Sequence, residues 1–188
     1  MTTSPTPSMP QAYIVAIPKF LVMIHLSLGF YFFYWFYQHW LIQRGQRGLK
    51  PVALLCSVAG PLLIYPLMKR ITERSRMAGQ PTDITPLNVA LMFWLPYALA
   101  LIWELVGPAP SSAALPLSIT LLVPVMLMAV CWIIPIVALV HVQQAANTCA
   151  GDELGRANAR ITGANRLWIY ASWLPIVPLI DLMAKHMG

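Results

Sequence analysis

Three ionisable side chains, His25, Glu104 and Asp181, sit inside apolar runs of this chain. Such groups are costly in hydrocarbon, and where they occur they mark proton relays, cation sites or charge pairs. A histidine and two carboxylates gathered at one depth can pass a proton or hold a cation. The plainer expectation is that each one reaches toward a headgroup layer or caps a helix end. His39 and His141 fall at the far ends of two runs, and two imidazoles on different helices can ligate a haem or a metal. No H-x-x-x-H, E-x-x-H or C-x-x-C-H spacing accompanies them. Cys56, Cys131 and Cys149 form neither a metal spacing nor a disulfide framework. G-x-S-x-G, the P-loop, G-x-G-x-x-G and H-E-x-x-H are all missing. The motifs therefore point to no cofactor and no metal, and they lean away from an enzyme.

The elements that must position these residues are apolar. Only 10% of the 188 residues are charged, against about 25% in a soluble domain. That excludes a sizeable soluble domain beside the apolar runs. The net charge of +6 comes from Lys and Arg clustered between those runs, where basic residues set topology and meet anionic lipid. A nucleic-acid partner is not expected. Residues 1–18 are rich in Ser, Thr and Pro and read as a disordered tail. Residues 19–188 read as a single helical membrane domain.

Five apolar segments cover residues 20–42, 51–68, 87–106, 115–140 and 167–184, so the fold class is an all-α integral membrane protein. Strands of a membrane barrel would alternate apolar and polar residues, and these segments do not. Pro96, Pro116, Pro124, Pro135, Pro175 and Pro178 lie inside them and predict kinks. The second segment is short, and Gly60-Pro61 falls at its middle, which predicts a broken or re-entrant element. Five full crossings would separate Arg44, Arg47 and Lys50 from Lys69, Arg70, Arg74 and Arg76. A second segment that dips and returns instead puts both clusters on one side, with Arg156, Arg160 and Arg166. It leaves Lys19 and Lys185 on the other. The all-spanning arrangement with an inner N-terminus keeps a basic majority inside and stays as the alternative.

In the stretch 141–166, Leu154, Ala157, Ile161 and Ala164 share a helical face, and Asp152 and Arg156 stand at i, i+4. Gly155 and Gly163 weaken that helix. A surface helix and a plain loop are both open there.

The first segment carries Tyr31, Tyr34, Trp35, Tyr37 and Trp40 behind Gly29. These rings can line a site for lipid, quinone or a partner helix. They can equally form an interfacial belt and packing surface, with Gly29 permitting close helix approach. The pattern Ser27-x-Gly29-x-Tyr31-x-x-Tyr34-Trp35-x-Tyr37-x-x-Trp40 resembles the first membrane segment of a family of small, uncharacterised bacterial multi-pass membrane proteins. Tyr65-Pro66-Leu67-Met68-Lys69, at the end of the Pro-led second segment, is similar to that family as well. So is the Asn-rich stretch from Asn147 to Asn165. Gln38-His39 departs from it. The resemblance implies a bacterial inner-membrane protein and no particular activity. The expected role is a non-enzymatic accessory or assembly component acting through the lipid bilayer, a membrane-protein partner or a second copy. A small-solute or ion channel or transporter is the alternative.

Overall fold

The computed structural model describes residues 12–43, 51–106 and 117–187, without the side chains of 117–121, 179–181, 186 and 187. Among the described residues there are eight α-helices, α1 to α8, and no strand. The chain is an all-α protein with helices long and apolar enough to cross a membrane.

The first apolar segment is not one helix. It divides into α1 (Ile17–Leu26) and α2 (Tyr31–Gln43). At the break, Leu28 and Gly29 take φ values of +52° and +84°, left-handed conformations that an α-helix cannot contain. Ser27 restarts the chain: its Oγ accepts the N–H of Tyr31 at 2.8 Å, in the manner of an N-cap. Gly29 is needed for this turn and not for close helix approach, since a Cβ there would meet only Trp132, at 3.9 Å. An uncharged run reads the same whether it goes straight through or folds back, so hydropathy hides the break.

Both arms of this hairpin start and finish at one end of the bundle. The last two turns of α6 (Leu117–Cys149) fix the level. Asn147 bonds the backbone of Val15, just before α1, while Gln143 bonds Trp35 and His39 on α2. The turn itself lies at Trp132, whose ring is near Gly29 and His25. Fifteen residues separate Trp132 from Asn147, roughly 22 Å at 1.5 Å per residue, short of a hydrocarbon core of about 30 Å. Lys19 therefore sits at the basic end: its Nζ donates to Asn158 Oδ1 at 2.6 Å and to the Arg160 carbonyl at 2.8 Å. This corrects the expectation that it faces the other side. Of the stretch 1–18 expected as a tail, residues 12–18 are ordered against the bundle, with Ala12 and Val15 buried in the core; residues 1–11 lie outside the described residues.

The second segment folds back as well. α3 (Pro51–Val58) packs along α2, a short 3-10 turn follows at Gly60–Leu63, and α4 (Ile64–Met77) leaves at 93°. Gly60 lies against Phe36, where an added Cβ would come within 2.6 Å of the ring. No larger residue fits between these arms. Arg74, near the end of α4, donates to the Gln43 carbonyl at the end of α2, at 3.1 Å. α4 thus returns to the end of the bundle from which the second segment set out.

The crossing elements are α5 (Pro86–Val106), α6 and the pair α7 (Gly163–Trp173) and α8 (Ile176–Met187). Pro96, Pro124 and Pro135 do not interrupt their helices, and Pro175 falls at the α7–α8 junction. Pro116 lies outside the described residues. The fourth segment runs on to Cys149 rather than stopping at 140. Beyond it the loop reading holds. Gly151 and Gly155 take φ values of +74° and +65°, and only a 3-10 turn, Arg156–Asn158, forms. Asp152 makes no helix-supporting partner of the Arg156 side chain; its carboxylate accepts the backbone N–H groups of Ala157 and Arg156, which hold it below the usual carboxylate range.

Breaks within an apolar layer leave carbonyls that lipid cannot satisfy. Two indoles from crossing helices meet that need. Trp173 Nε1 donates to the Leu26 carbonyl at 2.9 Å, and Trp94 Nε1 donates to the Pro61 carbonyl at 3.1 Å. Trp94→Phe is therefore expected to destabilise the fold by about 1–2 kcal/mol, the cost of one unpaired polar group. Chemical unfolding in detergent measures it, and an unchanged midpoint would remove the indole from this role.

Candidate functional site

The buried polar chemistry lies where α6 ends. Gln143 and Asn147 stand at i, i+4 on one face of that helix, and both are fully buried. Together with Asn158 they hold an extended stretch, Tyr13 to Ala16, as a neighbouring strand would. Asn147 Oδ1 accepts the Val15 N–H at 3.1 Å, and its Nδ2 donates to the Val15 carbonyl at 2.9 Å. Gln143 Nε2 donates to the Tyr13 carbonyl at 2.9 Å and to Asn147 Oδ1 at 2.7 Å. Asn158 Nδ2 donates to the Ile14 carbonyl at 2.9 Å, and Ala16 N–H reaches the Asn158 carbonyl at 3.4 Å. Gln143 Oε1 in turn accepts from Trp35 Nε1 at 2.6 Å, with His39 Nε2 at 3.4 Å. Gly155 closes the far side; a Cβ there would lie 2.5 Å from the backbone of Val15 and Ala16.

This clasp fastens the entry to the first hairpin onto the longest crossing helix. Sequence reading passed over it. The signal available was two amides one helical turn apart, in a chain otherwise so poor in polar residues.

The aromatic candidates divide by burial. Tyr31, Trp35 and Trp40 are core residues, while Tyr34 and Tyr37 are half-buried. Tyr13 threads between them, edge-on to Tyr34 and His39, with its hydroxyl 3.4 Å from that of Tyr31. Trp35 packs at a tilt against Phe20 and edge-to-face against Phe36 and His39. These rings are mainly packing inside the bundle rather than a belt on its surface.

The intramembrane ionisable candidates are not brought together. His25 is exposed beside Trp132, its Nδ1 donating to the Leu21 carbonyl at 2.7 Å. Pro96 is level with Cys131, whose Sγ reaches its carbonyl, so the exposed Glu104 lies about 12 Å further along α5. Asp181 has its side chain outside the described ones. His141 is half-buried on α6, two residues before Gln143, and His39 is enclosed by Trp35, Tyr13 and Gln143. Among the described residues no group of His, Cys, Asp and Glu could hold a metal.

Between the two hairpin turns, α5 and α6 there is an open groove of about 430 Å3. Gly29 and Phe33 come from the first turn and α2, Pro61 from the second turn, Trp94 and Tyr97 from α5 and Trp132 from α6. No charged side chain or amide lines it, and Trp94 forms its wall while spending its N–H on Pro61. Such a surface takes an apolar group. No protein-family model, curated protein or solved structure matches the chain.

Proposed function

We propose that the chain is a non-enzymatic accessory or assembly component of a bacterial inner membrane, acting through lipid or protein contacts. The groove between the hairpin turns carries this reading. It is apolar and sized for an acyl chain or the side chains of one face of a helix, and the hairpins that wall it are held to the crossing helices by Asn147 and Trp94. A helix of another membrane protein, or of a second copy, is the partner it suits best. Eight of the twelve Lys and Arg residues lie at the end where Gln43, Arg74 and Cys149 meet, three more are in the link 44–50, and Lys185 alone is at the other. That bias supports a cytoplasmic basic end. The likeness of the first segment to bacterial inner-membrane proteins supports the choice of membrane.

A photoreactive residue in place of Phe33, which lines the groove, is expected to give one discrete adduct in intact membranes. Leu101, exposed on the outer face of α5, should give only the mixed adducts of bulk lipid. Identical adduct spectra at the two positions would reject the reading.

One observation favours a second reading, a small-solute channel or transporter. The hairpins are two helix–break–helix units of equal length, 17–43 and 51–77, 27 residues each. Paired interruptions mark binding sites in transporters. A solute or ion flux in proteoliposomes, lost on closing the groove with Ile136→Trp, would move the assignment there.

A further inference from the structure

We propose that the ends of α2 and α4 form a binding site for a phosphate group at the basic end of the bundle. Trp40 Nε1 and both amide atoms of Gln43 have no hydrogen-bond partner among the described residues, and beside Ser75 Oγ there is only the weakly bonding thiol of Cys149. The three side chains are only 4%, 7% and 0% exposed. Buried polar atoms are rarely left so, and a group of them marks a place where a ligand or solvent completes the bonding. Trp40 and Gln43 stand at i, i+3 on one side of α2. α4 is fastened to that side twice: Arg74 donates to the Gln43 carbonyl at 3.1 Å, and the Arg70 guanidinium lies 5.0 Å over the Trp40 ring. Ser75 follows Arg74 on the buried face of α4.

An indole N–H, an amide NH2 and a hydroxyl thus stand beside two guanidinium groups. Three donors with two fixed positive charges exclude a cation and suit an anion with several acceptor oxygens. Phosphate is the common group that accepts from all three donors, leaving the Gln43 amide oxygen to solvent, and Arg is the side chain best shaped for it. Glu73, the acidic neighbour on α4, is exposed on the outer face. The phosphate can belong to an anionic phospholipid headgroup or be free in solution. The site rests on the reading of the chain as a lipid-contacting membrane protein and is independent of the groove.

The full chain in mild detergent is titrated with phosphatidylglycerol, phosphatidylcholine or inorganic phosphate, and bound lipid and unfolding temperature are recorded. Phosphatidylglycerol is expected to bind and to raise the unfolding temperature. Trp40→Phe, which keeps an aromatic ring near Arg70 and loses the N–H, should weaken that binding about tenfold, as expected for one hydrogen bond to a charged group. A shift with inorganic phosphate alone identifies the free anion as the ligand. Equal binding of phosphatidylglycerol by wild type and Trp40→Phe would reduce the site to general surface charge and overturn it. No response to either anion would overturn it too. Should Trp40→Phe fail to fold, Gln43→Leu supplies the same comparison. The photocrosslinking at Phe33 reads the groove separately, so the two proposals fail apart.

Discussion

Asn147→Leu is expected to cost about 3–5 kcal/mol of stability. The substitution nearly preserves volume, so a cavity contributes little. What it removes is both bonds to the Val15 backbone and the acceptor for Gln143 Nε2. Val15 is fully buried, and its N–H and carbonyl would have no other partner at hand. Two unpaired backbone groups at about 1–3 kcal/mol each account for most of the figure. Asn147→Asp keeps the acceptor for the Val15 N–H and loses the donor to its carbonyl, so it should fall between. Proteolysis gives an independent reading. Lys19 is only 5% exposed and doubly bonded in the clasp. Release of residues 12–16 would let trypsin cut after it. Stability within about 0.5 kcal/mol of wild type, with no new cleavage at Lys19, would mean that the clasp is incidental.

The same clasp explains what could and could not be read beforehand. Helical class and membrane character follow from composition and run length, because those depend on each residue's transfer energy and not on its neighbours. The break at Gly60-Pro61 was legible for a local reason: proline removes a donor and constrains the residue before it. The break at 27–30 has no proline. It depends on Leu28 and Gly29 adopting left-handed backbone, on Ser27 capping Tyr31 and on Trp173 covering Leu26 from 147 residues away. Only the first two have any local signature, and Ser27-x-Gly29 was visible but read as packing. The clasp itself joins residues 130 and 132 positions apart. A single amide in a sequence does not say which backbone it will meet. Gathering His25, Glu104 and Asp181 at one depth required a straight first helix, and it failed with that assumption for His25 and Glu104.

The fold-back of the first two segments carries an all-or-none prediction about sidedness. If both return to the basic end, the N-terminus, the link 44–50 and the link between α4 and α5 share one side. The C-terminal end of α5 is on the other. Single cysteines at Arg47 and Gln80, in a Cys-free background, are expected to stay unlabelled by an impermeant thiol reagent until the membrane is opened. A cysteine at Val106, exposed at the far end of α5, should label at once. A green fluorescent protein placed before Met1 should be bright, as it is when it stays in the cytoplasm. Each outcome isolates one element. Labelling of Arg47 but not Gln80 would make the second segment a crossing helix, against the Arg74 to Gln43 bond. A dark reporter with both cysteines protected would make the first segment cross alone. That would place Val15 and Asn147 on opposite faces of the membrane, where the bonds between them cannot form. The reporter therefore tests the clasp and the topology together, because one requires the other.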